Sequence, residues 1–279
     1  MNHSFKVGNI EIGGENLFLI AGPCVIESEA HALQIAEAVR DEAGKLHIPF
    51  IFKASYDKAN RTSLKSFRGP GLEEGLRILK KVKDKLHLPV LTDVHAAADV
   101  PAVAKAVDVV QIPAFLCRQT DLLVEAAHHA RAINIKKGQF VSPGDMRHAV
   151  EKVRQSGNNN VFLTERGSSF GYNNLVVDMR SLAIMRRFAP VVFDATHSVQ
   201  LPSAGADGQG VSGGQPEFIP LLSRAAVAAG VDGIFMEVHD NPTQAKSDGA
   251  NALDLKNLHS VLSELLAVHN ALQPGTAHP

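Results

Sequence analysis

The chain of 279 residues is predicted to be an α/β protein, a (β/α)8 TIM barrel, because eight short apolar segments alternate with stretches of helical periodicity. This alternation indicates a parallel sheet with right-handed crossovers. The strands are apolar nearly throughout, which indicates that both faces of the sheet are covered. Eight such units fit a closed barrel better than an open doubly wound sheet, and no glycine-rich dinucleotide-binding motif follows the first strand.

The predicted strands are short, rich in β-branched or aromatic residues, and end in a polar or turn residue. They span residues 17–23, 50–55, 90–94, 109–115, 133–138, 161–167, 191–197 and 233–239. Helical spacing of apolar residues is clear in several of the intervening stretches. Four examples are residues 28–46, 71–86, 121–132 and 216–230.

The two ends of the chain lie outside this alternation. Residues 1–15 contain two short alternating runs about Gly8 and Asn9, which predict a β-hairpin that plugs the bottom of the barrel. Residues 253–272 predict a final helix. No linker or low-complexity segment interrupts the chain, and barrels of this type fill about 250 residues. We therefore expect residues 1–279 to form a single domain.

The composition, 45% hydrophobic and 20% charged, is typical of a soluble globular protein. No apolar run approaches the roughly 18 residues that span a bilayer, and the N-terminal residues lack the apolar segment of a signal peptide. Cys24 and Cys117 are too few for a disulfide framework, so we expect a cytoplasmic protein. A net charge of −1, with two tyrosines and no tryptophan, argues against nucleic acid or a membrane as a partner.

Polar residues stand at or near the C-terminal end of nearly every predicted strand, which is the face where barrels of this class build active sites. They are Cys24, Lys53, Asp93, Gln111, Lys136, Arg166, His197 and Glu237. For Gln111 or Asp93 taken alone, a structural role is the more plausible interpretation. Burying so many ionisable groups costs several kcal/mol each unless they are paired or bound to a ligand. Their convergence on one rim therefore predicts a functional site.

Four of the polar residues have the chemistry of a metal site. Cys24, His197 and Glu237 belong to strands 1, 7 and 8, which are neighbours in a closed barrel, and Asp248 follows strand 8. Thiolate, imidazole and carboxylate ligands suit a divalent transition metal such as Zn²⁺, Fe²⁺ or Mn²⁺. Singly, Cys24 or His197 is more often a buried structural residue, but the four together favour a metal. Cys117 has no comparable partners and is expected to be structural.

A second group is basic and predicts binding sites for anions. Lys53 and Lys58 flank the end of strand 2, while Lys136 and Arg166 come from strands 5 and 6. Lysine and arginine are the side chains that phosphate and carboxylate groups require. Because five or six cations would overneutralise one phosphate, more than one anion is indicated. The glycine-rich residues 201–214 are either a mobile cover over the rim or a surface loop.

Several segments closely resemble the 3-deoxy-D-manno-octulosonate-8-phosphate synthase family. They are IAGPCVIES (20–28), FKASYDKANRTS (52–63), RGPGLEEGL (68–76), TDVH (92–95), QIPAFLCRQTD (111–121), INIKKGQFVSP (133–143), TERGSSFGYNNLVVDM (164–179), DATHSVQ (194–200) and MEVH (236–239). The resemblance implies a homotetrameric (β/α)8 barrel that condenses phosphoenolpyruvate with D-arabinose 5-phosphate for lipopolysaccharide biosynthesis. It also implies that a neighbouring subunit completes the sugar-phosphate site.

The resemblance assigns roles to individual residues. It implies phosphoenolpyruvate contacts at Lys53, Lys58, Gln111, Lys136 and Arg166, sugar-phosphate contacts at Asn60, Arg61 and Thr62, a further substrate contact at Ser55, and metal ligation by Cys24, His197, Glu237 and Asp248. Some family members have Asn at the position of Cys24 and work without metal, so this chain resembles the metal-requiring class. Lys136, Asp93 and His197 are the expected catalytic residues, with Asp93 and His197 the candidates for moving protons.

Two other functions fit the same residues. The related synthase that uses erythrose 4-phosphate for aromatic amino-acid biosynthesis shares the G-P-C segment, but its sugar loop reads K-P-R-T-S. Here the loop reads KANRTS (58–63), in which Asn60 is a candidate partner for a hydroxyl of the longer sugar. A barrel that only binds phosphorylated metabolites is the second alternative, although a sensor has no need of a metal beside the phosphate site. The glycine-rich loop after Gln200 is longer than the family pattern implies, which leaves its closing contacts open.

Overall fold

A computed structural model describes residues 4–61, 63–202 and 212–273. Thr62 and residues 203–211 of the predicted glycine-rich loop lie outside the described residues. Within those ranges, no helix has the length and apolar character needed to span a membrane.

Short strands alternate with helices along the chain, as the sequence predicts. In chain order the strands are β1 (Phe5–Val7), β2 (Ile10–Ile12), β3 (Phe18–Gly22), β4 (Phe50–Lys53), β5 (Val90–Asp93), β6 (Val109–Ile112), β7 (Ala132–Lys136), β8 (Val161–Glu165), β9 (Ser168–Ser169), β10 (Leu175–Val176), β11 (Val191–Asp194), β12 (Gln200–Leu201), β13 (Gly213–Gly214), β14 (Gly233–His239) and β15 (Leu253–Asp254). The helices are α1 (Glu29–Lys45), α2 (Leu72–Leu86), α3 (Val100–Ala106), α4 (Thr120–His129), α5 (Met146–Gln155), α6 (Arg180–Met185), α7 (Ile219–Ala228) and α8 (Leu258–Ala271).

Eight parallel strands, β3 to β8, β11 and β14, close into a barrel. Closure is complete because β14 pairs with β3 on one side and with β11 on the other. Each of the eight predicted strands overlaps one barrel strand, so the predicted (β/α)8 TIM barrel is confirmed. The predicted strand 109–115 is longer than β6, since Pro113 cannot donate to the ladder and residues 114–116 form a 3-10 turn.

The N-terminal hairpin plugs one end of the barrel, which confirms that prediction. Strands β1 and β2 pair antiparallel, and Val7, Ile10 and Ile12 are buried. These side chains share one apolar cluster with inward-facing residues near the N-terminal ends of the barrel strands. The barrel members of the cluster are Phe18, Ile20, Ile51, Leu91, Val109, Ala132, Phe162, Val192 and Phe235. A second and larger apolar cluster lies between the barrel and its helices.

The helices lie close to their predicted positions but differ at some ends. Helix α1 begins after Ser28, whose hydroxyl accepts the N–H of His31 at 3.1 Å. The predicted helix 121–132 overruns α4, which ends at His129, because the Asn158 side chain takes up the carbonyl of Ala130 at 2.7 Å. The last helix begins at Leu258 rather than at residue 253, since β15 first adds to the end of β14.

Candidate functional site

A cavity of about 1350 Å³ opens at the C-terminal ends of the barrel strands. Most of the residues that the sequence singles out line it. They are Lys53, Lys58, Asn60, Arg61, Asp93, Gln111, Lys136, Arg166, His197 and Asp248. Cys24, Ser55 and Glu237 are buried next to lining residues, with Cys24 hydrogen-bonded to Asp248 and Ser55 to Lys53. The structure therefore brings together every candidate residue that it describes.

The period of two along a strand explains why these polar side chains point inward. In β4, Ile51 belongs to the inner apolar cluster, while Phe52 packs outward against the helices. Lys53 is the next inward position and lies at the cavity. The same rule carries β14 from Phe235 to Glu237.

The four predicted metal ligands converge at one side of the cavity. The ligand atoms of Cys24, Glu237 and Asp248 all lie within 4.8 Å of one another. The Nε2 atom of His197 lies 3.5 Å from Oε1 of Glu237 and 4.0 Å from Oδ2 of Asp248. These spacings are those of side chains that surround a common point and need only small shifts to share one ion.

Glycines next to the ligands allow the close approach of their segments. A Cβ atom on Gly22 would lie 2.0 Å from the carbonyl oxygen of Lys53, so only glycine lets β3 turn into Cys24 at this point. A Cβ atom on Gly249 would lie 2.2 Å from the carbonyl oxygen of Pro242. Asp248 itself has a left-handed backbone with φ of 47°. The loop that carries Asp248 is therefore tightly folded on itself.

The site has the features expected of a metal site. Among the described residues, Oε2 of Glu237 has no hydrogen-bond partner although it is fully buried. A buried carboxylate oxygen is normally satisfied by a donor or a cation. Burial, with Asp248 and Glu237, raises the pKa of the Cys24 thiol, so a bound cation would have to displace its proton. The mixed sulfur, nitrogen and oxygen ligands fit a divalent transition ion.

Asp194 contacts two of the candidate site residues, although the sequence reasoning did not single it out. Its Oδ2 atom lies 2.8 Å from Nδ1 of His197 and 2.6 Å from Nζ of Lys136. Burial opposes ionisation of Asp194, but His197 and Lys136 outweigh it and hold the pKa of this carboxyl well below its ordinary value. The carboxylate therefore turns Nε2 of His197 toward the other ligands. Its inward position in β11, two residues after Val192, is the signal that could have identified it.

The buried cations are balanced by carboxylates of the same site. Nζ of Lys53 lies 3.4 Å from Oε1 of Glu237, and Nζ of Lys58 lies 3.8 Å from the same atom. Burial opposes ionisation of Glu237, but His197 and Lys58 lower its pKa to about 2. Burial lowers the pKa of Lys136 and of Arg166. An anionic substrate would therefore stabilise the positive charges of Lys136 and Arg166, which have already lost contact with water.

Asp93 and Gln111 occupy different positions in the hydrogen-bond network. Burial opposes ionisation of Asp93, but Lys53 and His95 outweigh it and hold its pKa below the ordinary value. Asp93 is therefore held in its ionised form, and its lowered pKa makes it a weak base. The side-chain nitrogen of Gln111 donates to Asn134 at 2.8 Å, which ties it into the barrel interior.

The predicted sugar-phosphate loop lies against the loop that carries Asp248. Arg61 donates from Nε to the carbonyl of Phe67 and from Nη2 to the carbonyl of Lys246, both at 3.1 Å. Gln200, which the sequence reasoning left without a role, accepts from Nη2 of Arg166 at 2.9 Å and donates to Oδ1 of Asp248 at 3.5 Å. Gln200 thus joins the basic side of the cavity to the side that holds the candidate metal ligands.

Known proteins match this chain over nearly its whole length. The model of the DAHP synthetase I family matches residues 2–273. The chain is 70% identical over 277 residues to the 2-dehydro-3-deoxyphosphooctonate aldolase of Koribacter versatilis, covering 99% of this chain and 100% of the relative. It is 59% identical over 270 residues to the Geobacter metallireducens protein of the same name, covering 96% and 98%. The Geobacter sulfurreducens protein, also of that name, is 56% identical over 270 residues, with the same coverage.

Proposed function

The chain belongs to the DAHP synthetase I family, and we propose that it condenses phosphoenolpyruvate with D-arabinose 5-phosphate and water. The products are 3-deoxy-D-manno-octulosonate 8-phosphate and inorganic phosphate, and the product serves lipopolysaccharide biosynthesis. The observation that carries this proposal is the 70% identity, over both full lengths, to a 2-dehydro-3-deoxyphosphooctonate aldolase. The cavity supports it, because it places cations for two anionic substrates beside four candidate metal ligands.

In the proposed reaction, phosphoenolpyruvate binds among Lys53, Lys136 and Arg166, which are all buried cations. Its C3 forms a bond with the aldehyde carbon of the sugar, and the aldehyde oxygen takes up a proton. Water adds its oxygen at C2 and loses both of its protons, one of which balances the proton on the aldehyde oxygen while the other leaves with phosphate. Phosphate departs with the bridging oxygen, by cleavage of the bond between that oxygen and C2. Holding two reactants in one cavity supplies several powers of ten in rate, because their encounter no longer costs translational entropy.

Cys24, His197, Glu237 and Asp248 would hold the metal, whose chemistry is to polarise an oxygen of the reactants as a Lewis acid. Asp194 orients His197 by accepting from its Nδ1. Asp93 is held ionised beside Lys53, so it can orient the attacking water by accepting a hydrogen bond, whereas its lowered pKa disfavours the predicted role in taking up a proton. Lys136 neutralises the charge of phosphoenolpyruvate and can return a proton, because burial lowers its pKa.

Side-by-side assays with arabinose 5-phosphate and erythrose 4-phosphate test the substrate. We expect phosphate release with arabinose 5-phosphate and a kcat/KM at least about 100-fold lower with the four-carbon sugar, since the shorter sugar lacks the hydroxyl for which Asn60 is the candidate partner. A preference for erythrose 4-phosphate would reject the proposal. Binding of phosphoenolpyruvate without phosphate release in the presence of either sugar would instead support a binding protein.

Chelation followed by add-back of single metals tests the metal. We expect activity to disappear on chelation and to return with one or more of Zn²⁺, Fe²⁺ and Mn²⁺. Full activity of a protein shown to be metal-free by elemental analysis would exclude the proposed role of these ligands.

We also propose that the protein works in the cytoplasm as a homotetramer of single-domain barrels of residues 1–279. The support is a group of aromatic side chains on three loops at the ends of β6, β7 and β8. Phe115, Phe140, Phe170 and Tyr172 are between 55% and 97% exposed. The loops lie together, since the N–H of Ser169 donates to the carbonyl of Gln139 at 3.0 Å, and a Cβ atom on Gly138 would lie 3.0 Å from the carbonyl oxygen of Ala114. Such a group of exposed aromatics is typical of a protein–protein interface.

Sedimentation of two charged variants tests this interface. Phe170→Asp should convert tetramers to smaller species, because it places a charge in the proposed contact. Leu221→Asp is the matched control, since Leu221 is 53% exposed on α7 and does not belong to this aromatic group. Dissociation of the control but not of Phe170→Asp would place the interface elsewhere.

A further inference from the structure

Glu27 lies just outside the cavity, three residues after the candidate ligand Cys24. Its Oε1 atom accepts the backbone N–H of Lys246 at 2.8 Å and lies 3.2 Å from Nε2 of His239. The Glu27 side chain is 14% exposed and therefore largely shielded from water. It joins the segment after β3 to the loop after β14.

Glu27, His31 and His239 are close enough to one another to suggest a second metal site. The hydrogen bonds of His239 argue against it. The backbone N–H of Asn241 donates to Nδ1 of His239 at 2.9 Å, which makes Nδ1 the acceptor nitrogen of the ring although Oδ1 of Asp240 lies 3.1 Å from it. The proton of the neutral ring is then on Nε2, where it faces Glu27. A metal at Nε2 would require loss of this last ring proton, which neutral histidine ligands do not undergo. The cluster is therefore better explained as a hydrogen-bonded brace.

The brace holds a stretch of three residues, of which the first reaches the sugar-phosphate loop and the other two reach the candidate metal site. The carbonyl of Lys246 accepts from Nη2 of Arg61 at 3.1 Å. The hydroxyl of Ser247 lies 2.7 Å from the sulfur of Cys24. Asp248 follows directly and contributes its carboxylate to the candidate metal site. The peptide group of Lys246 thus has Glu27 on its N–H and Arg61 on its carbonyl.

We propose that Glu27 is a positioning residue that couples the metal site to the sugar-phosphate site through the backbone of Lys246. This inference rests on the proposed function, in which Asp248 binds metal and Arg61 binds the sugar phosphate. Without the Glu27 carboxylate, the N–H of Lys246 loses its acceptor. The loop then no longer holds Asp248 opposite Cys24, nor the Lys246 carbonyl opposite Arg61.

Two substitutions, Glu27→Leu and Glu27→Gln, distinguish the contribution of the hydrogen bonds that Glu27 accepts from the contribution of its negative charge. Glutamine keeps an oxygen that can accept from Lys246 and His239, whereas leucine keeps none. Glu42→Leu and Glu42→Gln are matched controls, because Glu42 also accepts from a lysine and a histidine but lies near the other end of α1. Thermal melts show that each variant is folded, and Glu27→Ala replaces the leucine variant if that one does not fold.

Two measurements are made on each variant. Cobalt(II) is titrated into metal-free protein while the thiolate-to-cobalt absorption band is followed. The KM values for both substrates are then measured at saturating metal. For Glu27→Leu we expect cobalt affinity to fall about tenfold, as for other residues that support metal ligands. We also expect the KM for arabinose 5-phosphate to rise about tenfold, by loss of a hydrogen bond that orients a charged group. The KM for phosphoenolpyruvate should be unchanged, and Glu27→Gln should restore both losses.

The outcomes distinguish this inference from the proposed function. If the unsubstituted protein binds cobalt and uses arabinose 5-phosphate, but Glu27→Leu behaves like Glu42→Leu, the coupling is wrong and the function stands. Equal rises in both KM values, or equal losses in the glutamine and leucine variants, also overturn it. An unsubstituted protein that neither binds cobalt nor uses the sugar would remove the proposed function and the coupling together. A second equivalent of cobalt that is lost on substitution of Glu27 would show the brace to be a metal site after all.

Discussion

The two ends of the barrel interior are built from the same strands but from opposite kinds of side chain. At the bottom, Ile51, Phe162 and Phe235 pack against the N-terminal hairpin in an apolar cluster. Two residues further along β4 and β14, the inward positions are Lys53 and Glu237. Because inward side chains recur every second residue, each strand contributes to both ends.

The residues that stabilise the fold therefore lie at one end of the barrel axis, and the residues of the candidate site lie at the other. The apolar bottom stabilises the fold by burying nonpolar surface. The polar top works against folding, since Lys53 is 2% exposed and Glu237 is fully buried. Each buried ion costs several kcal/mol before pairing offsets it. The hairpin and the lower layer therefore stabilise a cavity whose charges are arranged for ligands.

The largest effect is expected for Phe162→Ala, at the bottom. The Phe162 ring is fully buried, with centroids 6.2 Å from Phe5 and 6.4 Å from Phe18. Its truncation should lower the free energy of unfolding by about 3–5 kcal/mol, measured by urea denaturation. Leu221→Ala is the control, because Leu221 is 53% exposed and lies outside the proposed subunit contact, and it should change the free energy of unfolding by less than about 0.5 kcal/mol. The folded fraction of Phe162→Ala should keep its metal affinity; a loss there would contradict the separation.

Cys24→Ala, at the top, should have the opposite profile. We expect kcat/KM to fall by at least about 100-fold, because losing one ligand displaces or releases the metal. Urea denaturation of the metal-free protein should show a change of no more than about 1 kcal/mol. Cys117→Ala provides the comparison, since Cys117 is also buried but belongs to no candidate ligand cluster in the described part of the chain. Metal content and activity that survive in Cys24→Ala would exclude Cys24 as a ligand.

The sequence predicts the barrel better than it predicts the network within the site. Strand 233–239 was predicted to the residue, because an apolar run between turns leaves little choice of bounds. The ends of α4 and α8 could not be placed, because they depend on contacts that are distant in sequence. Asn158 takes up the carbonyl of Ala130, and β15 pairs with β14.

Within the site, the sequence does not reveal the residues that only position other side chains. Cys24, His197 and Glu237 have side chains that are unusual at strand ends, and Asp248 follows in the next loop, so their chemistry is visible in the sequence. Asp194, Gln200 and Glu27 look like ordinary polar residues until their partners are known. Because inward side chains recur every second residue along a strand, the sequence could have placed Asp194 inside the barrel. Only the fold shows that Asp194 contacts both His197 and Lys136. For Glu27, whose partner Lys246 lies at the other end of the sequence, no sequence signal was available.

Asp194→Asn tests how far the polar top depends on such supporting residues. We expect metal affinity to fall about 10–100-fold, because the amide no longer fixes the tautomer and direction of His197. Asp232→Asn is the matched control near the opposite ends of the strands, where the buried carboxylate accepts from the N–H of Val191 at 2.6 Å and from Arg186 at 2.8 Å. The control should lose stability and keep its metal affinity. Equal metal affinities in the two variants would show that Asp194 does not orient the ligand.

The smallest expected effect is a pH dependence that arises from Lys136. Loss of the Lys136 proton should raise the stability of the protein but lower its activity. Burial lowers the pKa of Lys136 below its ordinary value of 10.5. At alkaline pH Lys136 loses the positive charge that is proposed to bind phosphoenolpyruvate, so kcat/KM for this substrate should fall. Because the pKa of Lys136 is lowered, the fall should begin at a lower pH than it would for an ordinary lysine. The folded state releases the proton more readily than the unfolded chain, so the free energy of unfolding should gain up to about 1.4 kcal/mol per pH unit between the folded and unfolded pKa values. The stability difference between the unsubstituted protein and Lys136→Met, measured across this interval, isolates that contribution from other titrating groups.

Lys136→Arg should remove the alkaline fall in kcat/KM, because a guanidinium keeps its charge. An alkaline fall that persists unchanged in Lys136→Arg would assign it to a different group.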